Sequence, residues 1–350
     1  MKIVISWSRE ASHRFARVLA GWLQLVTRAV KPFIWTNDGL FLIGAMALAN
    51  VGAQAADEFP SKPIRVVVPY ATGGADTYIR PLQPALQAKH GITLVIDSVT
   101  GAGGTIGATQ VKRAVADGYT LLFCGSGALT IAPRLQGASV SLADFNPVLN
   151  LVTIPYIVAV RKDAAIQTGR EFVEYLKHNP DKLNYGSPGV GSAPHLAMEV
   201  VANNLGTRIT HVPYSGIATA VQALLGGHIA AVIGAPSNVM PQVRAGRLTA
   251  LGVSSKTRFP LTPQLPTLAE AGADVDVATH FGFFAPKGTP QPVIDKLAAA
   301  VRDAARDPAF AAAMEAMQTQ MDILSADDLA KSLVAESAYF APVIDRLPKQ

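Results

Sequence analysis

From Pro63 to the C-terminus, short runs rich in β-branched residues alternate with stretches of helical periodicity, and no other feature constrains the fold as strongly. Two parallel strands in one sheet need a long crossover between them, usually a helix. Repeated alternation therefore builds mostly parallel sheets flanked by helices, an α/β fold. Nine runs read as strands: Ile64 to Pro69, Leu94 to Ser98, Tyr119 to Cys124, Ile157 to Val160, Leu183 to Tyr185, Ile209 to Val212, Ala230 to Ile233, Thr249 to Val253 and Gly282 to Ala285. Thr168 with Glu171, and Ser325 with Asp328, have the spacing of N-capping boxes, in which a side-chain oxygen and a carboxylate satisfy free amides at a helix start.

The first 55 residues read differently. Leu40 to Ala49 is a ten-residue apolar run preceded by Lys2, Arg9, Arg14, Arg17, Arg28 and Lys31, and it leads to Ala53-Gln54-Ala55. Ten residues fall short of the roughly 20 that span a bilayer. The small-x-small ending fits a secretory signal over residues 1–55, cleaved before Ala56, and hence a periplasmic protein. The stretch before the apolar run is long for such a signal, which places the expected translation start downstream of Met1. This segment also holds most of the charge surplus: beyond it 24 basic residues face 23 acidic ones, although the whole chain carries +5. Without a Lys/Arg run, nucleic-acid binding is not expected. The single Cys124 allows no internal disulfide, so about 295 residues must be held by buried cores, best divided between two domains.

The loops that follow the strands are rich in Gly, Ser and Thr and poor in charge. Thr72-Gly73-Gly74-Ala75-Asp76 follows the first strand, Gly101 to Gly107 (GAGGTIG) the second, Gly125-Ser126-Gly127 the third, and Ser187 to His195 (SPGVGSAPH) the run near Tyr185. Glycines there can make tight turns, or they can let backbone amides reach an anion without any Lys or Arg. Four such loops together favour a site. Gly73 and Gly74 are expected to present amides to it, with Gly74 at a positive φ.

Marks of catalysis are missing. GAGGTIG breaks the dinucleotide-binding spacing at Ile106, and no Walker lysine follows any of these loops. Cys124 ends an apolar strand and reads as a packed core residue. His178, His195, His211, His228 and His280 have no paired metal spacing, and neither Ser126 nor Ser192 sits in a G-x-S-x-G elbow. The expectation is a non-enzyme with no cofactor and no metal.

Eight motifs stand in a fixed order: FPSKPIRVVVPYATGG (Phe59 to Gly74), GAGGTIGA (Gly101 to Ala108), ADGYTLL (Ala116 to Leu122), LNYGSPGVGSAPHLA (Leu183 to Ala197), HVPYSG (His211 to Gly216), LLGGHI (Leu224 to Ile229), PTLAEAG (Pro266 to Gly272) and FGFFAPKGTP (Phe281 to Pro290). With these motifs the chain resembles the tripartite tricarboxylate transporter substrate-binding proteins, also called the Bug family, over about Phe59 to Leu347. The resemblance implies a two-lobed, type II-like periplasmic binding protein of the Venus flytrap kind. Residues 56–156 and 282–350 would form one lobe and 157–281 a second, inserted between two hinge crossings. It also implies a monomer that captures a small carboxylate, often through ordered water, for an inner-membrane permease. A periplasmic subunit that reports to a signalling sensor is the alternative.

Position by position, the resemblance puts Tyr70, Thr72, Gly73, Gly74, Ala75, Asp76, Gly125 and Ser126 on the first lobe's wall. Ser187, Gly191, Ser192, His195, Tyr214, Ser215 and Gly216 would answer from the second. Two departures stand out. The glycine loop is one residue shorter than the family's usual P-P-G-G-G-T-D, and Gly234-Ala235 replaces an acidic residue that many relatives carry. A buried ammonium group would find no partner there, so the expected ligand carries no amine.

Overall fold

The computed structural model describes residues 59–347, so the expected export signal lies outside the described residues. Its first strand, β1 (Ile64–Val68), reads IRVVV, and four of its five residues are buried. Val66 and Val68 enter one apolar cluster and Val67 another, as expected of a strand with both faces covered. The rest of the first half supplies α1 (Asp76–Ile79), α2 (Gln83–His90), β2 (Leu94–Ser98), α3 (Thr105–Lys112), β3 (Thr120–Gly125), α4 (Gly127–Thr130), α5 (Ala132–Gln136) and β4 (Phe145–Pro155). The chain continues through β5 (Ile157–Arg161), α6 (Gly169–His178), β6 (Asn184–Ser187), α7 (Ala193–Asn204), β7 (Thr210–Pro213), α8 (Ile217–Leu225), β8 (Ala231–Gly234), α9 (Pro236–Arg244) and β9 (Leu248–Val253). It ends with β10 (Ala278–Pro286), α10 (Gln291–Ala304), α11 (Pro308–Ala316) and α12 (Ala326–Ile344).

Two five-stranded sheets result, ordered β2-β1-β3-β10-β4 and β7-β6-β8-β5-β9. Each is the sheet of one lobe. In both, four strands run one way and a single strand is reversed: β10 pairs antiparallel with β3 and β4, and β5 with β8 and β9. The reversed strand is in each case the one that arrives from the other lobe, and each sheet is mostly parallel, as expected.

The crossings run side by side at Tyr156, Ser254 and Val277. The Tyr156 N–H donates to Ser254 Oγ at 2.9 Å, the Ser254 N–H to the Tyr156 carbonyl at 2.8 Å, and the Val277 N–H to the Ser254 carbonyl at 2.8 Å. The return expected at residue 282 falls inside β10, whose Ala278 to Phe281 already pair with β4. Helix α12 belongs to neither lobe alone. Its Leu329 and Leu333 join the first lobe's apolar cluster, whereas Phe340, Val343 and Ile344 join the cluster beneath the second lobe's sheet.

Strand β4 was not foreseen, because Pro147 and Asn150 interrupt its apolar run. It lies at the edge of its sheet, where a residue without an N–H is tolerated. The expected capping box at Thr168 forms, its Oγ1 accepting from the Glu171 N–H at 3.1 Å and the Glu171 carboxylate from the Thr168 N–H at 3.0 Å, whereas at Ser325 only one leg forms: Ser325 Oγ accepts from the Asp328 N–H at 3.1 Å, and the Asp328 carboxylate takes the Ser325 hydroxyl instead of its amide.

Candidate functional site

A cavity of about 540 Å³ lies between the lobes, and the starts of six helices meet on its wall. Ala75 precedes α1, Gly127 and Ala128 open α4, Ala132 opens α5, Ser192 and Ala193 stand at the start of α7, Gly216 and Ile217 at that of α8, and Ala235 caps α9. The first amides of a helix have no intrahelical acceptor and carry the positive end of its dipole. Among the described residues, no acceptor meets the N–H of Ala75 or Ala193. None of the residues lining the wall is Lys, Arg, His, Asp or Glu. The wall is therefore electropositive through its backbone, a setting that suits an anion.

On the first lobe, the loop before α1 is held by its own acid. Asp76 is fully buried; its Oδ1 accepts from the Gly73 N–H at 2.8 Å and its Oδ2 from Arg80 Nε at 2.7 Å. The Gly74 N–H donates to the Ala71 carbonyl at 3.0 Å. The amides expected to cradle a ligand are thus committed within the loop, and the next one along, Ala75, is open. The positive φ expected at Gly74 lies at Gly73 (+86°), where a side chain would be strained.

Above this loop stand Tyr70, Tyr78, Tyr156 and Phe281, all on the wall. The Phe281 ring lies 6.5 Å from that of Tyr70 and 5.2 Å from that of Tyr78. Two hydroxyls are taken: Tyr70 Oη accepts from the Gly125 N–H at 3.2 Å, and Tyr156 Oη hydrogen-bonds Thr279 Oγ1. Burial raises the Tyr70 phenol well above its ordinary range and pushes Tyr78 up to about 12, so both stay neutral.

The second lobe's wall is the loop Ser187 to Ser192 and the start of α7. Ser192 is the N-cap of that helix: its Oγ donates to the Gly189 carbonyl at 2.7 Å and accepts from the His195 N–H at 3.4 Å. Beneath the loop, the rings of His195 and His211 stack with centroids 4.0 Å apart. His195 Nδ1 accepts from the Gly191 N–H at 3.1 Å, and His211 Nε2 meets Ser187 Oγ at 2.7 Å. Burial, with the neighbouring His211 as the lesser cause, lowers His195 to about 3, and burial lowers His211 to about 4. Both rings are neutral supports, so the 3.6 Å approach of His195 Nε2 to Glu199 is no ion pair at neutral pH.

Of the expected site residues, Tyr70, Gly74, Ala75, Gly125, Gly191, Ser192, Gly216 and Ala235 come together on this wall. The others do not reach it. Thr72 meets Ser98 Oγ at 3.2 Å, Gly73 and Asp76 fasten the loop, and Ser126 is buried between two lining glycines. Ser187 and His195 lie beneath the second loop, the Tyr214 N–H donates to the Ser187 carbonyl at 3.1 Å, and Ser215 is exposed. Gly234 is covered by Ile217, whose Cδ1 stands 2.3 Å from where a Cβ would be.

Sequence reasoning missed Tyr78, Tyr156, Phe281, Leu135 and Ile217. Tyr78 is only two residues past Asp76 and could have been read as the next turn of the same helix. The others reach the wall through the lobe crossings and the facing lobe, for which a linear motif holds no signal.

The family model described as a tripartite tricarboxylate transporter family receptor matches residues 78–348. Protein BugT of Bordetella pertussis is 31% identical over 305 residues, covering 85% of this chain and 92% of its own length. A TctC solute-binding protein from Polaromonas, solved without ligand, is 28% identical with a TM-score of 0.73, covering 83% of this chain and 100% of that one. MatC from Rhodopseudomonas palustris, solved with bound malate, is 30% identical with a TM-score of 0.69, covering 82% of this chain and 100% of that one.

Proposed function

The chain belongs to the tripartite tricarboxylate transporter receptor family, and from that premise we propose that it captures a small carboxylate between its lobes and delivers it to a membrane permease. The observation that carries this reading is the convergence of six helix starts on a cavity with no Lys, Arg, His, Asp or Glu on its wall. Such ends attract a carboxylate through backbone N–H groups, at fixed positions and without a counter-ion. The malate bound to the related MatC is in keeping with that class of ligand.

A ligand amine is disfavoured by the same inventory. No carboxylate lines the cavity, Ala235 standing where an acid would be needed, and a buried unpaired ammonium costs several kcal/mol. Ser187 and His211 have the spacing of a nucleophile and its base, but neither lines the cavity, and Ser187 is fully buried. Binding without turnover is the better account of such a site.

In this reading the protein is a periplasmic monomer, exported by a signal within residues 1–55, with lobes of about 59–155 plus 278–325 and 157–277. The lobes close by small rotations about the strands crossing at Tyr156 and Ser254. Unfolding the purified protein and identifying the released small molecules by mass spectrometry tests the ligand class. A carboxylic acid without an amine is expected; release of an amino acid or of an uncharged solute would contradict the proposal.

A further inference from the structure

We propose that Glu336, on α12 behind the cavity wall, couples capture of the carboxylate to uptake of a proton, so that the solute binds more tightly as pH falls; this rests on the carboxylate reading above. Thr130 ends α4, whose first residues Gly127 and Ala128 lie on the wall. Its hydroxyl stands 2.9 Å from the Ser126 carbonyl and 2.7 Å from Glu336 Oε1. A hydroxyl has one proton, and a carbonyl only accepts. Both contacts are served at once only when Glu336 brings a proton of its own. Glu336 Oε2 and Ser126 Oγ are also enclosed without a protein partner, and among the described residues no cation pairs with Glu336. The pocket thus receives the neutral acid well and the carboxylate poorly.

The charge of Glu336 reaches the wall. Burial first, and this charge among the lesser causes, raises the phenols of Tyr70 and Tyr156, which line the cavity. A solute carboxylate seated among them meets the same field, and like charges repel more strongly through a protein interior than through water. Protonating Glu336 removes that repulsion; by reciprocity, a bound anion makes Glu336 keep its proton to higher pH. Burial raises Glu336 to about 7, with Thr130 and Ser126 pulling weakly the other way, so the exchange falls near neutrality. The groups around it do not mimic this response. Helix α4 and strand β4, which pack on α12, carry no ionisable residue, and burial holds Cys124 neutral. Lys256, Asp276, His280 and Tyr339 share with Glu336 a cavity of about 450 Å³ on the face of β10 opposite Thr279 and Phe281. Burial lowers His280 and raises Tyr339, so neither changes charge between pH 6.5 and 9. At the far end of α12, Arg134 pairs with Asp345, and on α7 burial lowers His195 and raises Glu199.

The test is calorimetric titration of the wild-type protein and Glu336→Gln, both freed of any co-purified ligand, with succinate, malate and 3-phenylpropanoate. The tightest binder is then followed at pH 6.5, 7.5 and 9. Wild type should bind it at least about threefold more tightly at pH 6.5 than at pH 9. At pH 7.5 its binding heat should differ between phosphate and Tris buffers in the sense of proton uptake. Glu336→Gln, which keeps the shape without the charge, should change by less than about twofold over the same range and take up less proton. Glu199 remains in that variant, so a response owed to it would persist. Wild-type affinity that is flat with pH, or a pH slope and proton uptake that survive in Glu336→Gln, overturns the inference and leaves the carboxylate reading standing. A protein that binds none of the three acids overturns both.

Discussion

Ser192 caps a helix and lines the binding cavity at once, so its removal has two consequences that must be separated. Losing the cap of α7 costs about 0.5–2 kcal/mol, and the loop from Ser187 loses its tie to Gly189. Ser192→Ala is therefore expected to lower Tm as well as ligand affinity, whereas Ser192→Thr should restore most of both. Thermal unfolding and calorimetry on the two variants check this; an unchanged Tm in Ser192→Ala would show that the cap carries no weight. The histidines beneath the same loop predict a pH response. Unfolded, they titrate near 6.5; folded, they refuse protons until about 4 and about 3. As pH falls below 6.5, the unfolded state binds protons that the native state does not, and stability present above 6.5 is lost progressively down to about 3. Urea unfolding between pH 7.5 and 4.5 should show a shallower decline for His211→Gln than for wild type. Equal slopes would remove His211 from that role.

Helix α12 shows what a contiguous element can do that a domain division hides: it is one rod packed into both lobes. Glu336, in its middle, is half-buried with its Oε2 covered; its Oε1 accepts from Thr130 Oγ1 of α4 at 2.7 Å, one helical turn from the cavity wall. Burial raises this carboxyl to about 7, with the Thr130 hydrogen bond pulling weakly the other way. The folded state therefore binds a proton the unfolded state has lost, and the stability this contributes declines as pH rises from 4.5 through about 7. Glu336→Gln should stabilise the protein at pH 8 by roughly 2 kcal/mol and have little effect at pH 5. Destabilisation at pH 8 would mean that the charge is paired after all. The elements themselves were largely legible in the sequence: eight of the nine expected runs match their strands to within two residues at each end, because buried strands read as apolar blocks. Only β10 starts earlier, its Ala278 to Phe281 lacking such a block, while β4 was lost to Pro147, which an edge position alone permits.

At the scale of the whole molecule, the site is made by bringing loops together that are far apart in sequence, and this decided what could be read in advance. Glycine and serine turns at strand ends announced part of the wall, since helix starts need them locally. Of the aromatic side only Tyr70 was read in advance, because Tyr156 and Phe281 reach the cavity through the two lobe crossings. The inner face of the glycine loop was also misjudged: Gly73 and Gly74 looked like ligand donors, yet their amides serve Asp76 and Ala71. Gly191 shows how close the lobes come, since a Cβ there would stand 2.4 Å from Leu135 Cδ1 of the facing lobe. The central claim is that backbone amides at helix starts, and no side-chain cation, receive a carboxylate in this cavity. A crystal structure of the complex with a bound acid tests it most directly. The account predicts a carboxylate oxygen about 2.7–3.2 Å from the Ala193 amide, directly or through one water, with no Lys or Arg nitrogen in reach. A carboxylate paired with an arginine or lysine, or an acid bound outside the interlobe cavity, would contradict it.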